Sequence, residues 1–204
     1  MNIISYEEFE NKTIKEKTVC FTGGRPKSLF LDFGYDETFY NKMKSNLTSY
    51  IKNLYVEKGY RCFITGGAQG FDQTVFWCVR ELQKEYPDIK NIVFAPFRNQ
   101  SCKWAKSGLF SQNHYNAMLR CADEVVICRD DLNGRSSSKS ELIRALFYRN
   151  KCMCKHSSMI VGQFIDDSWT KPSTKGGTAA CLRFAKREDM IVDVRDFRKD
   201  KIKL

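Results

Sequence analysis

Three paired-glycine segments stand at the ends of apolar runs in this 204-residue chain and are its best candidates for chemistry. The first is Thr22-Gly23-Gly24-Arg25-Pro26, the second Thr65-Gly66-Gly67-Ala68-Gln69-Gly70-Phe71-Asp72, and the third Lys175-Gly176-Gly177-Thr178. Glycine after a strand admits backbone torsions closed to other residues and lets a ligand approach the main chain. Where such a turn opens a helix, unpaired N–H groups and a partial positive charge make a seat for phosphate. Arg25 and Lys175 add cations beside two of the turns. Asp72 falls in the first turn of a helix, where a carboxylate either complements the dipole or accepts hydrogen bonds from a ribose or a base. Thr178 either caps the last helix or meets the ligand. The second segment reads G-G-x-x-G and none reads G-x-x-x-x-G-K-[ST], which excludes a standard nucleoside-triphosphatase loop and a standard NAD-dehydrogenase fingerprint.

Turns so far apart in the chain need a scaffold that gathers strand ends. Short β-rich runs at 18–21, 61–64, 91–95, 124–128, 158–161 and 190–194 alternate with segments of helical period. Phe39, Met43, Leu47, Ile51 and Leu54 mark one helix, ended near Gly59; Phe71, Val75, Val79 and Leu82 mark another, running to Pro87. Weaker helical patterns cover 115–121, 141–153 and 179–187. The runs are continuously apolar, as in strands covered on both faces. The expectation is therefore an α/β, Rossmann-like three-layer sandwich: a mostly parallel sheet of six strands, right-handed crossovers, and ligands beyond the carboxyl ends of the strands. One domain is expected over 1–204, with its core at about 18–194 and short flanking tails. Two long loops, 97–112 and 165–175, read as ligand loops or lids, with disorder as the alternative for the second.

Composition narrows the class. Hydrophobic residues make up 42% of the chain, enough for a core, while no run reaches a membrane-spanning length and the acidic and basic amino terminus lacks the pattern of an export signal. Nine cysteines, mostly inside predicted elements, suit a reducing, cytoplasmic setting. Cys152 and Cys154, with His156 close behind, have poor spacing for zinc and lack a second matching pair, so no metal site is expected. A net charge of +10 suits an anionic partner, and seven basic residues against three acidic ones fall between 129 and 156. Neither His114 nor His156 sits in a nucleophile motif.

Taken in order, Thr22-Gly23-x-Arg25-Pro26, Gly66-Gly67-Ala68-x-Gly70-x-Asp72, the Pro96-Phe97 step with Gln100 and Trp104, Arg149-Asn150 followed by Met153, and Gly176-Gly177-Thr178-Ala179 resemble the YpsA-like branch of the DprA/LOG-like, or SLOG, superfamily. The likeness runs from about Thr18 to Val194. It implies a Rossmann-like fold and a pocket for nucleotides or nucleotide-derived molecules, ADP-ribose, NAD relatives and cyclic nucleotide signals included. Some relatives sense such signals in antiviral systems, and others are linked to stress or division. The resemblance places ligand loops on Gly23, Gly24 and Arg25, on Gly66, Gly67, Ala68, Gly70 and Asp72, and on Gly176, Gly177 and Thr178, and an Arg-Asn motif on Arg149 and Asn150. It also implies association, a homodimer being the expected form. Gly24, where relatives commonly carry a bulkier residue, and the long 165–175 link depart from the pattern at the expected pocket mouth.

The LOG branch cleaves an N-glycosidic bond with a P-G-G-x-G-T-x-x-E loop, and such chemistry needs a carboxylate for the developing oxocarbenium charge or for water. Here the corresponding stretch, Gly176-Gly177-Thr178-Ala179-Ala180-Cys181-Leu182-Arg183, has no acid. The leading expectation is a binder, a sensor or sequestering protein that needs no cofactor. In it Arg25, Arg149 and Lys175 neutralise phosphate, and Phe97 or Trp104 stacks on a base or closes a lid. Hydrolysis of an N-glycosidic or phosphoester bond is the second expectation. DprA-like binding of single-stranded DNA is the third, weakened by the want of a dense basic and aromatic run.

Overall fold

A computed structural model describes residues 2–10, 15–30 and 36–199. Its strands are β1 (Ile3–Ser5), β2 (Thr18–Thr22), β3 (Cys62–Thr65), β4 (Lys90–Ala95), β5 (Glu124–Ile127), β6 (Met159–Gln163) and β7 (Ile191–Arg195). They form a single sheet in the order β1-β5-β4-β3-β2-β6-β7, with every pairing parallel. The helices are α1 (Tyr6–Glu10), α2 (Pro26–Phe30), α3 (Glu37–Val56), α4 (Phe71–Leu82), α5 (Gln112–Cys121), α6 (Lys139–Lys155) and α7 (Gly177–Arg187). The architecture is the Rossmann-like sandwich that the alternating pattern implies.

Alternation along the strands divides the core into two layers. Val19 and Phe21 of β2 and Phe63 of β3 pack with Met43, Leu47 and Ile51 of α3 and Val75 and Val79 of α4. Cys20, Ile64 and Phe94 face the other way, against Phe9 of α1, Cys152 and Met153 of α6, and Ala179, Leu182 and Ala185 of α7. Among the described residues no helix is long and apolar enough to cross a membrane.

The sheet has one strand more than the apolar runs predict. β1 pairs with β5 at the edge, and its three residues are too few for a periodic signal. α1 and α2, of five residues each, are likewise too short to read. α3 ends at Val56 with Glu57 as its cap, shortly before Gly59. α6 begins at a full capping box: the Ser138 hydroxyl accepts from the Glu141 N–H while the Glu141 carboxylate accepts from the Ser138 N–H.

From β2 the chain runs outward through β3, β4 and β5, then returns to β6 on the other side of β2. This reversal leaves a crevice beyond the carboxyl ends of β2 and β6, where open sheets of this kind take their ligands.

Candidate functional site

A cavity of about 480 Å³ occupies that crevice. Thr22 at the end of β2 and Gln163 at the end of β6 form part of its wall. The first turn contributes Gly23, Gly24 and Arg25, the third contributes Lys175, Gly176, Gly177 and Thr178, and α6 contributes Arg149 and Asn150. Of the second turn, Ala68 and Asp72 reach the cavity, whereas Gly66, Gly67 and Gly70 lie behind it.

The reason is close packing between the first two turns. The Phe71 N–H donates to the Gly24 carbonyl at 3.1 Å, and a β-carbon on Gly70, whose φ is 93°, would stand 2.6 Å from that same oxygen. A β-carbon on Gly23 would overlap the Phe71 ring, and one on Gly66 would overlap the Arg149 guanidinium. Nothing lies within 4 Å of the corresponding positions at Gly176 and Gly177. The third turn is tied to the others by polar contacts. Thr178 Oγ1 donates to the Gly23 carbonyl at 2.9 Å, and Asn150 Nδ2 donates to the Gly177 carbonyl at 3.5 Å. Thr178 thus bridges two turns instead of capping its own helix. Gly176, φ 116°, is the N-cap of α7 and no side chain caps the helix; Gly177, Thr178 and Ala179 of its first turn line the cavity.

Charge gathers around these amides. Asp72 is buried, accepts a hydrogen bond from the Ala68 N–H at 3.2 Å and stands 3.7 Å from Arg149 Nη1. Burial pushes its pKa up, with Arg149 and then Arg25 pulling it back. Arg149 is itself only 6% exposed, and its Nε and Nη1 have no hydrogen-bond partner. Arg25 is accessible at the rim, yet the wall beside its guanidinium desolvates it and lowers its pKa; Asp72 opposes that shift and Arg149 adds to it. Lys175 is exposed at the mouth.

The two aromatic residues expected to close over the ligand lie elsewhere. Phe97 is buried against Leu132 and Ala145, and Trp104 packs edge-on against Tyr115 with ring centroids 5.1 Å apart. Their loop is drawn inward because Tyr115 Oη donates to Gln100 Oε1 at 3.0 Å and Phe110 is buried. Neither Phe97 nor Trp104 lines the cavity. The second long loop does border it. Ile165 is 52% exposed at the rim, and the segment that follows is pinned by Arg183, which donates to the carbonyls of Trp169, Lys171 and Thr174.

Sequence reasoning missed Leu146, Phe147 and Phe164 on the apolar rim, and also Arg198, whereas Ile165 opens the loop that it expected at a ligand. Phe147 is 45% exposed, an unusual setting for phenylalanine. Arg198 is buried in an ion pair with Asp196, to which Gln163 Nε2 also donates. Among the described residues no group of three or more His, Cys, Asp or Glu is placed to hold a metal ion. His156 is instead buried, its Nε2 3.1 Å from Tyr6 Oη.

An all-parallel sheet whose strand order reverses beside β2 defines a Rossmann-like class of protein. The chain belongs to the YpsA family of SLOG proteins (YspA SLOG family), whose model matches residues 19–199. It is 34% identical over 149 residues, 72% of this chain and 81% of the relative, to the uncharacterized SPbeta prophage-derived protein YoqJ of Bacillus subtilis (strain 168). It is 31% identical over 109 residues, 53% of this chain and 56% of the relative, to a UPF0398 protein of Bacillus cereus (strain G9842). DNA processing protein A (DprA) of Streptococcus pneumoniae shares the fold, with a TM-score of 0.53 and 12% identity over 87% of this chain and 49% of that one. The SLOG superfamily is associated with nucleotide-related binding.

Proposed function

We propose that the protein binds a nucleotide-derived anion, of the ADP-ribose and NAD-related or cyclic nucleotide type, and acts as a sensor or sequestering protein for it. The observation that carries this reading is one cavity lined both by Arg149, a buried guanidinium paired with Asp72, and by the start of α7, which no side chain caps. An anion in that cavity is attracted by both. A phosphate accepts from the Gly177 and Thr178 amides and from Arg149, and Arg25 and Lys175 flank it. Each such charge-assisted hydrogen bond contributes roughly 1.5–3 kcal/mol, so a few suffice for micromolar binding after the cost of immobilising the ligand. Ribose hydroxyls donate to the free capacity of Asp72, and the base lies against Phe147 and Ile165, whose exposed apolar surface it covers.

Titration calorimetry against a panel of ADP-ribose, NAD, ADP and cyclic nucleotides tests the reading. A hit is expected in the micromolar range or tighter, weakened by Arg25→Ala and by Gly177→Asp. A hit that both variants leave unchanged overturns the pocket assignment. Mass spectrometry of the same mixtures after incubation separates a binder, which returns the ligand intact, from a hydrolase.

A further inference from the structure

Arg198 borders the ligand cavity although it lies beyond the last strand of the sheet. The segment that carries it, Asp196-Phe197-Arg198, is fastened at every residue. The Phe197 ring is fully buried, with its centroid 5.9 Å from that of Phe71 and 5.4 Å from that of Tyr50. The Phe197 N–H donates to Gln163 Oε1 at 2.9 Å, and Asn46 Nδ2 of α3 donates to the Phe197 and Lys199 carbonyls, each at 2.9 Å. Gln163 Nε2 donates to Asp196 Oδ1 at 2.9 Å. Asp196 also accepts from Arg198, Oδ1 from Nε at 2.6 Å and Oδ2 from Nη2 at 2.8 Å, and both side chains of this pair are buried.

The pairing uses one edge of the guanidinium. Its remaining nitrogen, Nη1, makes no hydrogen bond among the described residues and keeps two N–H donors in the plane that Asp196 fixes. A lysine in the same place would supply charge without that direction.

Alternation along β6 sets this group on the opposite side of the sheet from the start of α7. A β-carbon on Gly162 would stand 2.7 Å from Leu182 of α7, so Gly162 faces α7. Gln163, the next residue, faces the layer of α3 and α4, as Val161 does, and Phe197 packs in that layer too. α6 and α7 thus bring Arg149 and the α7 amides to the cavity from one face of the sheet, while Arg198 is anchored on the other.

We propose that Arg198 is the seat of a second phosphate, so that the pocket selects a nucleoside diphosphate over a nucleotide with a single phosphate. The inference rests on the pocket reading above and narrows its ligand class. One phosphate lies at the start of α7, and the next passes over the ends of β2 and β6, where Thr22 and Gln163 line the cavity, to the Nη1 donors. A cyclic or linear monophosphate reaches one seat; a diphosphate reaches both.

Parallel calorimetric titrations with AMP and ADP, on the wild type and on Arg198→Gln, supply the test. ADP is expected to bind the wild type at least about tenfold more tightly than AMP, and Arg198→Gln to lower that ratio by about tenfold. Arg198→Lys keeps a cation beside the buried Asp196, so it stands in if the glutamine variant fails to fold, and it is expected to lower the ratio as well because it lacks the planar fork. Equal affinities of the wild type for AMP and ADP, or a ratio that neither variant shifts, overturn the second seat and leave the first in place. A wild type that binds neither nucleotide overturns the pocket reading and this inference with it.

Discussion

The first two glycine turns and the third use the same residue for opposite purposes. At Gly23, Gly66 and Gly70 the missing side chain makes room for protein: the Phe71 ring, the Arg149 guanidinium and the Gly24 carbonyl. At Gly176 and Gly177 it leaves open space beside the amides that begin α7. One pair of turns builds the floor and orients Arg149, and the other is left free for an occupant. A glycine pair at a strand end therefore carries no single meaning; what would collide with its β-carbon decides between packing and binding.

The comparison can be broken most severely at the packed turns. Gly70→Ala forces a β-carbon onto a backbone with φ of 93° and to 2.6 Å from the Gly24 oxygen, so a loss of stability of about 1–3 kcal/mol or more is expected in urea unfolding. Gly66→Ala is expected to cost a similar amount, about 1–3 kcal/mol, and to abolish ligand binding because the guanidinium must leave its place. At the open turn the two effects separate. Gly177→Asp sets a carboxylate at a helix start, which stabilises by about 0.3–1 kcal/mol, yet anion affinity is expected to fall about tenfold or more. A thermal melt and a calorimetric titration on one sample check both signs.

Asp72→Asn sharpens the division of labour inside the pocket. The amide oxygen can still accept from Ala68 N–H, while the cavity loses its buried carboxylate. Pyrophosphate affinity is expected to rise and ADP-ribose affinity to rise less or fall, because only the latter has hydroxyls to donate to Asp72. Equal changes for the two would remove ribose from that carboxylate.

The smallest effect lies outside the pocket. His114 stacks on Trp77 at 5.4 Å, and desolvation, with a smaller contribution from Lys44, lowers its pKa from 6.5. A folded-state pKa below the unfolded one means that this contribution is complete above pH 6.5 and is lost as pH falls through that value toward the folded pKa. His114→Gln is expected to flatten the decline in melting temperature over that window, with little change at pH 8.

Much of the fold was legible because buried parallel strands are continuous apolar runs. The strands from β2 to β7 lie within a residue or two of the runs that announce them, and α3 and α4 cover their periodic stripes, although α4 ends at Leu82 where the last periodic residue falls and not at Pro87. β1 and α2 escaped because Ile3–Ser5 and Pro26–Phe30 are shorter than any period can register. Of the expected ligand loops, the first and third glycine turns line the cavity while Gly66, Gly67 and Gly70 of the second do not, and the Arg149-Asn150 pair was marked by the family resemblance. Trp104 and Phe97 could not be placed, because whether an aromatic on a long loop covers a ligand or packs inward depends on partners such as Tyr115 and Ala145, which are distant in sequence. Arg198 was missed for the same reason: nothing local marks a residue that only the sheet order brings to the rim.

An electron-density map of crystals grown with ADP-ribose tests the account most directly. A phosphate is expected between the start of α7 and Arg149, within hydrogen-bonding distance of the Gly177 or Thr178 amide and of the guanidinium. A ligand ordered in any other cavity, or a phosphate out of reach of the Arg149 guanidinium, would contradict it.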